Sequence, residues 1–147
     1  MQPLAISRYS IVNCLGAGAR IVAEAVRDRR SGLERCDFET VALGTFIGRV
    51  PGLESSPVRP DLEAYDCRNN RLAQLALELD GFADAVAEAR ERYHAERIGV
   101  FLGTSTSGIL ETELAYRRRD PQTGTLPPDY RYRETHNTYS LGDFVRR

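Results

Sequence analysis

The sequence predicts an α/β fold, with a mainly parallel sheet and flanking helices. Segments with the apolar pattern of strands alternate with segments whose apolar residues recur at helical spacing, which is the order of elements in βα units. The clearest strand is residues 98–102, a continuous apolar run that ends at a Gly/Ser/Thr turn and precedes a helical pattern. Continuously apolar strands are typical of sheets covered on both faces. We therefore expect residues 98–102 to be a central strand.

The first βα unit is predicted at the N-terminus. Residues 6–12 alternate as a strand does, and Gly16-Ala17-Gly18 leads into a helix over residues 19–29. The helix carries one apolar stripe, and Ser31-Gly32 ends it, because Gly is favoured where a helix closes in a left-handed residue. The β-branched and aromatic residues 40–47 predict a second strand.

The middle of the chain predicts a long helix over residues 67–91, because leucine and other apolar residues recur there on one face. Gly81 lies inside that helix and costs about 1 kcal/mol relative to Ala, so it marks a kink or a close contact. A further helix is predicted over residues 109–116. Residues 120–133 contain turn-forming residues and predict an irregular excursion, and residues 136–147 predict a final helix.

The composition is that of a globular domain, with 41% apolar and 28% charged residues. At 147 residues the chain is long enough for one domain with a core and too short for two of usual size. A net charge of −1 argues against nucleic-acid binding. The scattered cysteines Cys14, Cys36 and Cys67 indicate no metal site. The sequence shows no signal-peptide pattern and no membrane-length apolar run, so we expect a soluble, cytoplasmic protein.

Three local features suggest chemistry but have simpler interpretations. Residues 16–21 open a helix after a predicted strand, as dinucleotide fingerprints do, yet Ile21 stands where the third Gly is needed, so a tight turn is favoured. Cys14 precedes the same helix, whose dipole favours a thiolate. No base is identified beside it, so a structural role is favoured. The arginines at residues 117–119 form a solvated face or a docking patch for an acidic partner.

The turn after the predicted central strand is the best candidate binding site. It follows the carboxyl end of a strand, where open α/β sheets place their ligands. Its candidate pocket residues are Thr104, Thr106, Ser107 and Ile109. A capping turn that uses Ser and Thr hydroxyls remains the alternative interpretation.

Three segments follow, in order and at matching spacing, the motifs of one enzyme family. Residues 97–108 read R-I-G-V-F-L-G-T-S-T-S-G, residues 6–16 read I-S-R-Y-S-I-V-N-C-L-G, and residues 30–33 read R-S-G-L. They resemble the R-[IV]-G-x-x-x-G-[ST]-x-x-x-G segment, the first strand and the end of the first helix of β-ketoacyl-acyl carrier protein synthases. Residues 66–72, D-C-R-N-N-R-L, resemble the ketosynthases of aryl-polyene pathways. Residues 1–147 are therefore interpreted as an N-terminal ketosynthase-like region.

The resemblance implies part of a thiolase-like fold and a role in decarboxylative Claisen condensation of acyl and malonyl thioesters, in fatty-acid or polyketide synthesis. It implies no metal or cofactor. It implies an acyl carrier protein as partner, and an oligomer with a ketosynthase-like subunit. In the family the turn lies near the acyl pocket, and the residue matching Thr106 helps to gate the acyl chain. Ser107 stands where Gly is usual, which makes the turn less permissive of positive φ.

The resemblance assigns no catalytic residue to this chain. The family's nucleophile is a Cys in a T-A-C-[SA]-[ST] motif, assisted by two histidines, and no cysteine of this chain has that context. We expect the chain alone to be inactive and to self-associate, because part of a thiolase half leaves strand edges unpaired and apolar faces uncovered. The alternatives are a non-catalytic partner subunit, similar to a chain-length factor, and an unrelated small α/β binding domain.

Overall fold

The computed structural model describes residues 3–38 and 41–147. The chain divides into two compact units, and each unit takes two separate stretches of sequence. The first unit comprises Met1–Gly52 and Leu75–His94, and the second comprises Leu53–Gln74 and Ala95–Arg147. Because the units alternate along the sequence, no single cut in the chain separates them.

The first unit begins with a short hairpin that leads into a helix. Strands β1 (Val12–Asn13) and β2 (Gly16–Ala17) are antiparallel. The side-chain oxygen of Asn13 accepts a hydrogen bond of 2.8 Å from the Leu15 amide, which is a turn that Asn favours. Helix α1 (Ala19–Arg27) follows at once, so the helix predicted at this position is confirmed.

A residue distant in sequence caps the N-terminus of α1. The Ala19 amide donates hydrogen bonds to both carboxylate oxygens of Asp80, at 2.9 and 3.1 Å. A carboxylate at this position satisfies an otherwise unpaired amide and interacts favourably with the helix dipole. The chain turns at Asp80, where φ is +56°, and at Gly81, where φ is +69°. The turn that holds Asp80 therefore stabilises the start of α1.

The same left-handed pair corrects the prediction of one helix over residues 67–91. The segment forms two helices, α2 (Arg68–Leu77) and α3 (Phe82–Tyr93). A right-handed helix cannot continue through consecutive left-handed residues, so Asp80 and Gly81 separate the two helices. Gly81 in the sequence marked the correct position of the irregularity, but the helical pattern is interrupted there and not merely kinked.

A second ladder completes the first unit. Strands β3 (Leu33–Arg35) and β4 (Phe46–Gly48) are antiparallel, with Leu33 opposite Gly48. A Cβ atom on Gly48 would lie 2.8 Å from the Cys14 sulfur, so only Gly permits this packing. Strand β4 coincides with the end of the strand predicted at residues 40–47, of which Thr40 lies outside the described residues.

The prediction of a mainly parallel sheet is wrong for residues 3–38 and 41–147. The chain does combine helices with strands, but both of its ladders are two-stranded and antiparallel. The tight turn between β1 and β2 can join only antiparallel strands, because a parallel pair needs a long crossover connection. Residues 98–102 belong to neither ladder and are largely exposed, which also corrects their prediction as a buried central strand.

The second unit is mainly helical. It contains helices α4 (Ile109–Arg117), α5 (Tyr132–Thr135) and α6 (Ser140–Arg146). Helix α4 confirms the helix predicted at residues 109–116, and α6 lies within the predicted final helix. The irregular excursion predicted over residues 120–133 is confirmed up to residue 131, but residues 132 and 133 belong to α5. The core cluster of this unit consists of Val58, Leu62, Tyr65 and Phe144, against which Ala64, Ala73 and Val145 pack.

Short 3₁₀ helices occur between these elements at Leu53–Ser55, Pro60–Tyr65 and Ala95–Arg97. Several large apolar side chains remain in contact with solvent, among them Leu4 at 97% exposure and Phe101 at 94%. No helix in the described part of the chain combines the length and the apolar character needed to cross a membrane.

Replacing Phe144 with Ala tests the core of the second unit. The side chain is 4% exposed and its ring centroid lies 6.1 Å from that of Tyr65. We expect Phe144→Ala to lower the free energy of unfolding by about 3–5 kcal/mol, measured by urea titration with circular dichroism. Phe101→Ala is the matched control and should change it by less than about 0.5 kcal/mol, because Phe101 is 94% exposed. Equal effects of the two substitutions would contradict this core.

Candidate functional site

The structure places only one of the four predicted pocket residues at a cavity. Thr104 lines a cavity of about 510 Å³ in the second unit. Thr106 is exposed, and its carbonyl accepts a 3.2 Å hydrogen bond from the amide of Ile109, which is 42% exposed. Ser107 is half-buried beside α6. The predicted residues therefore surround a turn, and the cavity lies on the N-terminal side of that turn.

One wall of the cavity is the segment predicted to be the central strand. The residues of this segment that line the cavity are Ile98, Val100, Leu102 and Thr104. Alternate residues thus face the cavity, which is the side-chain arrangement of an extended strand. The segment has strand-like alternation, and no strand among residues 3–38 and 41–147 pairs with it.

The other wall comes from α6 and the residues before it. It is formed by Thr138, Tyr139, Leu141, Gly142, Asp143 and Arg146. This wall is more polar than the first. The cavity is therefore apolar on one side and hydrogen-bonding on the other, which is the usual make-up of a small-molecule site.

Asp143 is the most strongly paired charge of the cavity wall. Its carboxylate accepts hydrogen bonds from the Tyr65 hydroxyl, from Arg146 at 2.8 Å and from Arg147 at 3.2 Å. The Tyr65 hydrogen bond, followed by the Arg146 hydrogen bond, holds the pKa of Asp143 well below its ordinary value. The same contact and burial raise the pKa of Tyr65, with burial the larger cause. Asp143 therefore stays ionised and acts as an acceptor, not as a proton donor.

The turn itself is held by the side chain of Ser107. Its hydroxyl donates to the Asn137 carbonyl at 3.4 Å and lies 3.2 Å from the Ser140 hydroxyl. The backbone φ of Ser107 is +46°, a conformation that costs a non-Gly residue about 1–2 kcal/mol. Two hydrogen bonds of about 1 kcal/mol each offset most of that cost. Ser107 thus adopts a positive φ, although a Ser in place of the usual Gly was expected to disfavour that conformation.

Gly108 brings the start of α4 into direct contact with the end of α5. Its amide donates a 3.1 Å hydrogen bond to the Thr135 carbonyl. A Cβ atom on Gly108 would overlap that carbonyl oxygen and lie 3.1 Å from the Cys67 sulfur. The Cys67 thiol donates to the same Thr135 carbonyl at 3.7 Å. Gly is required here because the two backbones approach more closely than any side chain allows.

Cys67 is buried beside two acidic residues. Burial is the main cause that raises the pKa of the Cys67 thiol, and Glu111 and Asp66 raise it further. The thiol is therefore neutral at physiological pH and is a poor nucleophile. Burial also raises the pKa of Glu111, with Asp66 the second cause and Arg71 an opposing one. Arg71 binds both oxygens of Asp66, at 2.5 and 2.6 Å.

Sequence analysis missed a hydroxyl–imidazole cluster beside this turn. The Thr112 hydroxyl lies 2.5 Å from Nδ1 of His136 and is hydrogen-bonded to the Tyr130 hydroxyl. The ring of Tyr132 packs edge-on against His136 with centroids 5.6 Å apart. Thr112 stands four residues after Gly108, so helical spacing places both on one face of α4. No local motif links Thr112 to the other three residues, so their contact could not be predicted.

The other sequence candidates are not among the residues that line the 510 Å³ cavity. Cys14 belongs to the first unit, in the turn between β1 and β2. Arg118, from the basic run, forms an exposed ion pair of 2.9 Å with Asp129. Among residues 3–38 and 41–147 there is no group of three or more His, Cys, Asp and Glu side chains arranged to hold a metal ion.

Comparison of the chain with protein-family models, with curated proteins and with solved structures found no match.

Replacing Gly108 with Ala tests the close approach of α4 and α5. The added methyl group would overlap the Thr135 carbonyl, which is backbone and cannot rotate away. We expect a loss of about 1–3 kcal/mol in the free energy of unfolding, typical of overpacking. Gly142→Ala is the matched control, because nothing lies within 4 Å of a Cβ atom there. Gly142 is inside α6, so Ala should stabilise the chain by up to about 1 kcal/mol.

Replacing Glu111 with Gln tests the electrostatics beside Cys67. A carboxyl whose pKa is raised in the folded state stabilises the fold below its ordinary pKa and loses that contribution as pH rises. Glu111→Gln should therefore raise the melting temperature at pH 7, and the difference from the unmodified chain should shrink towards pH 4. Glu113→Gln on the same helix is the control, because Glu113 is exposed. A Glu111→Gln melting temperature that is lower at pH 7 would contradict this account.

Proposed function

We propose that the chain is the N-terminal region of a β-ketoacyl-acyl carrier protein synthase-like protein, and that residues 98–109 border its acyl pocket. In such proteins an acyl group and a malonyl thioester undergo decarboxylative Claisen condensation. The proposed role of this chain is to shape the pocket. The chemistry would require a Cys and two His that none of the motifs in this sequence provides.

The observation that carries the proposal is the geometry of residues 98–107. The segment has a strand's alternation and apolar character, lacks a partner strand, and ends in a turn where Ser107 has a φ of +46°. The family has a strand at these positions, and Gly is usual in the family at position 107. A residue that adopts positive φ where the family has Gly supports a common turn geometry. The apolar cavity wall formed by Val100 and Leu102 suits the alkyl part of an acyl chain.

Thr104 is the pocket residue that the cavity supports best. It is the only one of Thr104, Thr106, Ser107 and Ile109 that lines the 510 Å³ cavity. We propose that Thr104 contacts the acyl chain and that Ser107 holds the turn in place. The gating role that the resemblance assigns to Thr106 stays a prediction for the assembled protein, since Thr106 is exposed in this chain.

An independent small α/β binding domain is the second candidate. The antiparallel pairing of both ladders favours it, because a thiolase-like half would contribute parallel strands. The two candidates differ in the sequence that adjoins this chain in its reading frame. A T-A-C-[SA]-[ST] motif and histidine motifs there favour the ketosynthase-like protein or, if they are degenerate, its non-catalytic partner subunit. Their absence favours the binding domain.

Acyl transfer provides the biochemical test. We expect the 147-residue chain to remain unmodified after incubation with an acyl-carrier thioester, and to release no carbon dioxide from malonyl-carrier protein. Cys67 is buried with a raised pKa, and none of the three cysteines stands in the nucleophile motif of the family. Intact-protein mass spectrometry reads the acylation. The protein expressed from the whole reading frame should gain one acyl group on the Cys of the family motif.

The control is the same incubation with Cys14→Ala. Stoichiometric acylation of the 147-residue chain that disappears in Cys14→Ala would identify Cys14 as a nucleophile. It would contradict the proposal that this chain shapes the pocket and supplies no catalytic residue. A whole-frame protein that carries the motif but accepts no acyl group would favour the non-catalytic partner subunit.

A further inference from the structure

A second cavity, of about 390 Å³, lies within the first unit. Its walls come from the β1–β2 turn, from the residues that follow α1, from β3 and from the residues that follow β4. This volume is in the usual range of small-molecule sites. The lining residues that carry a charge, a hydroxyl or a thiol are Cys14, Arg30, Ser31, Glu34 and Arg49. The proposed ketosynthase-like function uses none of these groups.

Two guanidinium groups of the cavity can bind an anion. The ion pair of Arg30 is loose, because its Nε atom lies 4.0 Å from Asp28 and the two side chains are 54% and 62% exposed. That separation is too long for a hydrogen bond. Arg49 binds one carboxylate oxygen of Asp37, at 2.7 Å from Nη2 and 2.9 Å from Nε. A guanidinium has five N–H donors, so neither ion pair uses the full set.

The cavity also carries one acidic side chain. Glu34 lines it from β3, where its backbone stands opposite Ile47 of β4. A carboxylate together with two guanidiniums gives the lining both signs of charge. Complementary charge favours a ligand that bears carboxylates as well as an ammonium group, and it does not favour a neutral one. Zwitterions of the α-amino-acid type have that charge pattern.

The Cys14 sulfur is held against two glycines at the wall of this cavity. A Cβ atom on Gly32 would lie 2.9 Å from the sulfur, and one on Gly48 would lie 2.8 Å from it. Glycine backbone therefore packs directly on the thiol, and no side chain at these two positions covers it. Cys14 is a free, half-buried thiol that lines the cavity, whereas Cys67 is only 3% exposed. A molecule in the cavity can therefore reach the Cys14 sulfur.

We propose that this cavity binds a small zwitterionic disulfide and that Cys14 exchanges with it to form a mixed disulfide. The guanidiniums of Arg30 and Arg49 bind the carboxylates of the ligand, and Glu34 binds its ammonium group. Cys14 releases its proton to water, and its thiolate attacks one sulfur of the ligand. The S–S bond of the ligand breaks, and the second half leaves as a thiolate that takes up a proton from water. Cys14 is thereby oxidised, and the half that leaves is reduced to a thiol.

This reaction differs from the acyl transfer of ketosynthases. Attack on a disulfide sulfur generates no oxyanion, and the attacking group is the thiolate itself, so it needs no oxyanion site. The proposal is therefore independent of the proposed ketosynthase-like function and is compatible with a chain that accepts no acyl group. The modification is reversible, because a second thiol can release the bound half by the same exchange.

Disulfide exchange with reagents of different charge tests the proposal. The reduced 147-residue chain is incubated with glutathione disulfide, which carries carboxylates and ammonium groups, or with bis(2-hydroxyethyl) disulfide, which is neutral. Peptide mass spectrometry after acid quenching measures the rate at each cysteine. Cys36 is the internal reference, because it is half-buried and is not among the residues that line the cavity. We expect the ratio of the Cys14 rate to the Cys36 rate to be about tenfold higher with glutathione disulfide, the effect of one charge-assisted hydrogen bond.

Substitutions in the cavity separate binding of the ligand from reactivity of the thiol. Arg30→Gln should lower the rate at Cys14 about tenfold with glutathione disulfide and leave the rate with the neutral disulfide unchanged. Glu34→Gln should also slow the reaction with glutathione disulfide alone. Arg27→Gln is the matched control and should change neither rate, because Arg27 is exposed on α1 and is not among the lining residues. An unchanged rate with the neutral disulfide shows that a variant remains folded around the thiol.

Several outcomes would overturn the proposal. One is an equal ratio of the Cys14 and Cys36 rates for the two reagents. Another is an Arg30→Gln variant that reacts with glutathione disulfide as fast as the unmodified chain. An Arg30→Gln variant that slows equally with both reagents would show that Arg30 acts on the thiol and not on the ligand. A Glu34→Gln variant that reacts faster with glutathione disulfide would contradict the zwitterionic class of ligand.

Discussion

The second unit depends on one close approach of two backbones. The Gly108 amide and the Thr135 carbonyl meet where a single methyl group would prevent contact. That contact fixes the start of α4 against the end of α5, and it brings Cys67 to the same carbonyl. Thr112 can then reach His136 and Tyr130, because it lies one helical turn further along α4. The contacts of Thr112 with His136 and Tyr130 therefore depend on the close packing that Gly108 allows because it has no side chain.

The Ser107 turn shows how a residue can replace Gly without changing the backbone. Positive φ is unfavourable for Ser, but its hydroxyl reaches Asn137 and Ser140 from that conformation. The free-energy cost of the positive φ and the stabilisation from the two side-chain hydrogen bonds are of similar size, so they largely cancel. A sequence pattern that requires Gly at this position would miss such a turn.

Local signals in the sequence predicted the local structure well. Helices α1 and α4 follow from their apolar spacing, and Gly81 marked the place where the long helical pattern breaks. The direction of strand pairing was predicted wrongly as mainly parallel, because a short apolar run does not fix the direction of its neighbour. Residues 98–102 illustrate the difference. Their alternation is present in the structure, but the neighbours that would bury them are not among the described residues.

The candidate site was predicted only at its centre. The turn at residues 103–109 was identified from its Gly, Ser and Thr content, and Ser107 does hold that turn. The surrounding partners come from residues 130–146, which carry no motif that links them to the turn and which reach it only through tertiary packing. The main causes of the pKa shifts of Cys67 and Asp143, which are burial for Cys67 and the hydrogen bond from Tyr65 for Asp143, likewise come from tertiary packing.

The interleaving of the two units has a consequence for how the chain acquires its structure. The Ala19–Asp80 contact, which caps α1, closes a loop that contains the first segment of the other unit. During synthesis on the ribosome the first unit cannot be completed until residue 94 has emerged, and the second unit cannot be completed until residue 147 has emerged. Contacts between residues so far apart slow folding, because the entropy cost of closing the loop arises before the contacts stabilise the chain. The first unit can therefore be completed before the second, but only after the first segment of the second unit has been synthesised.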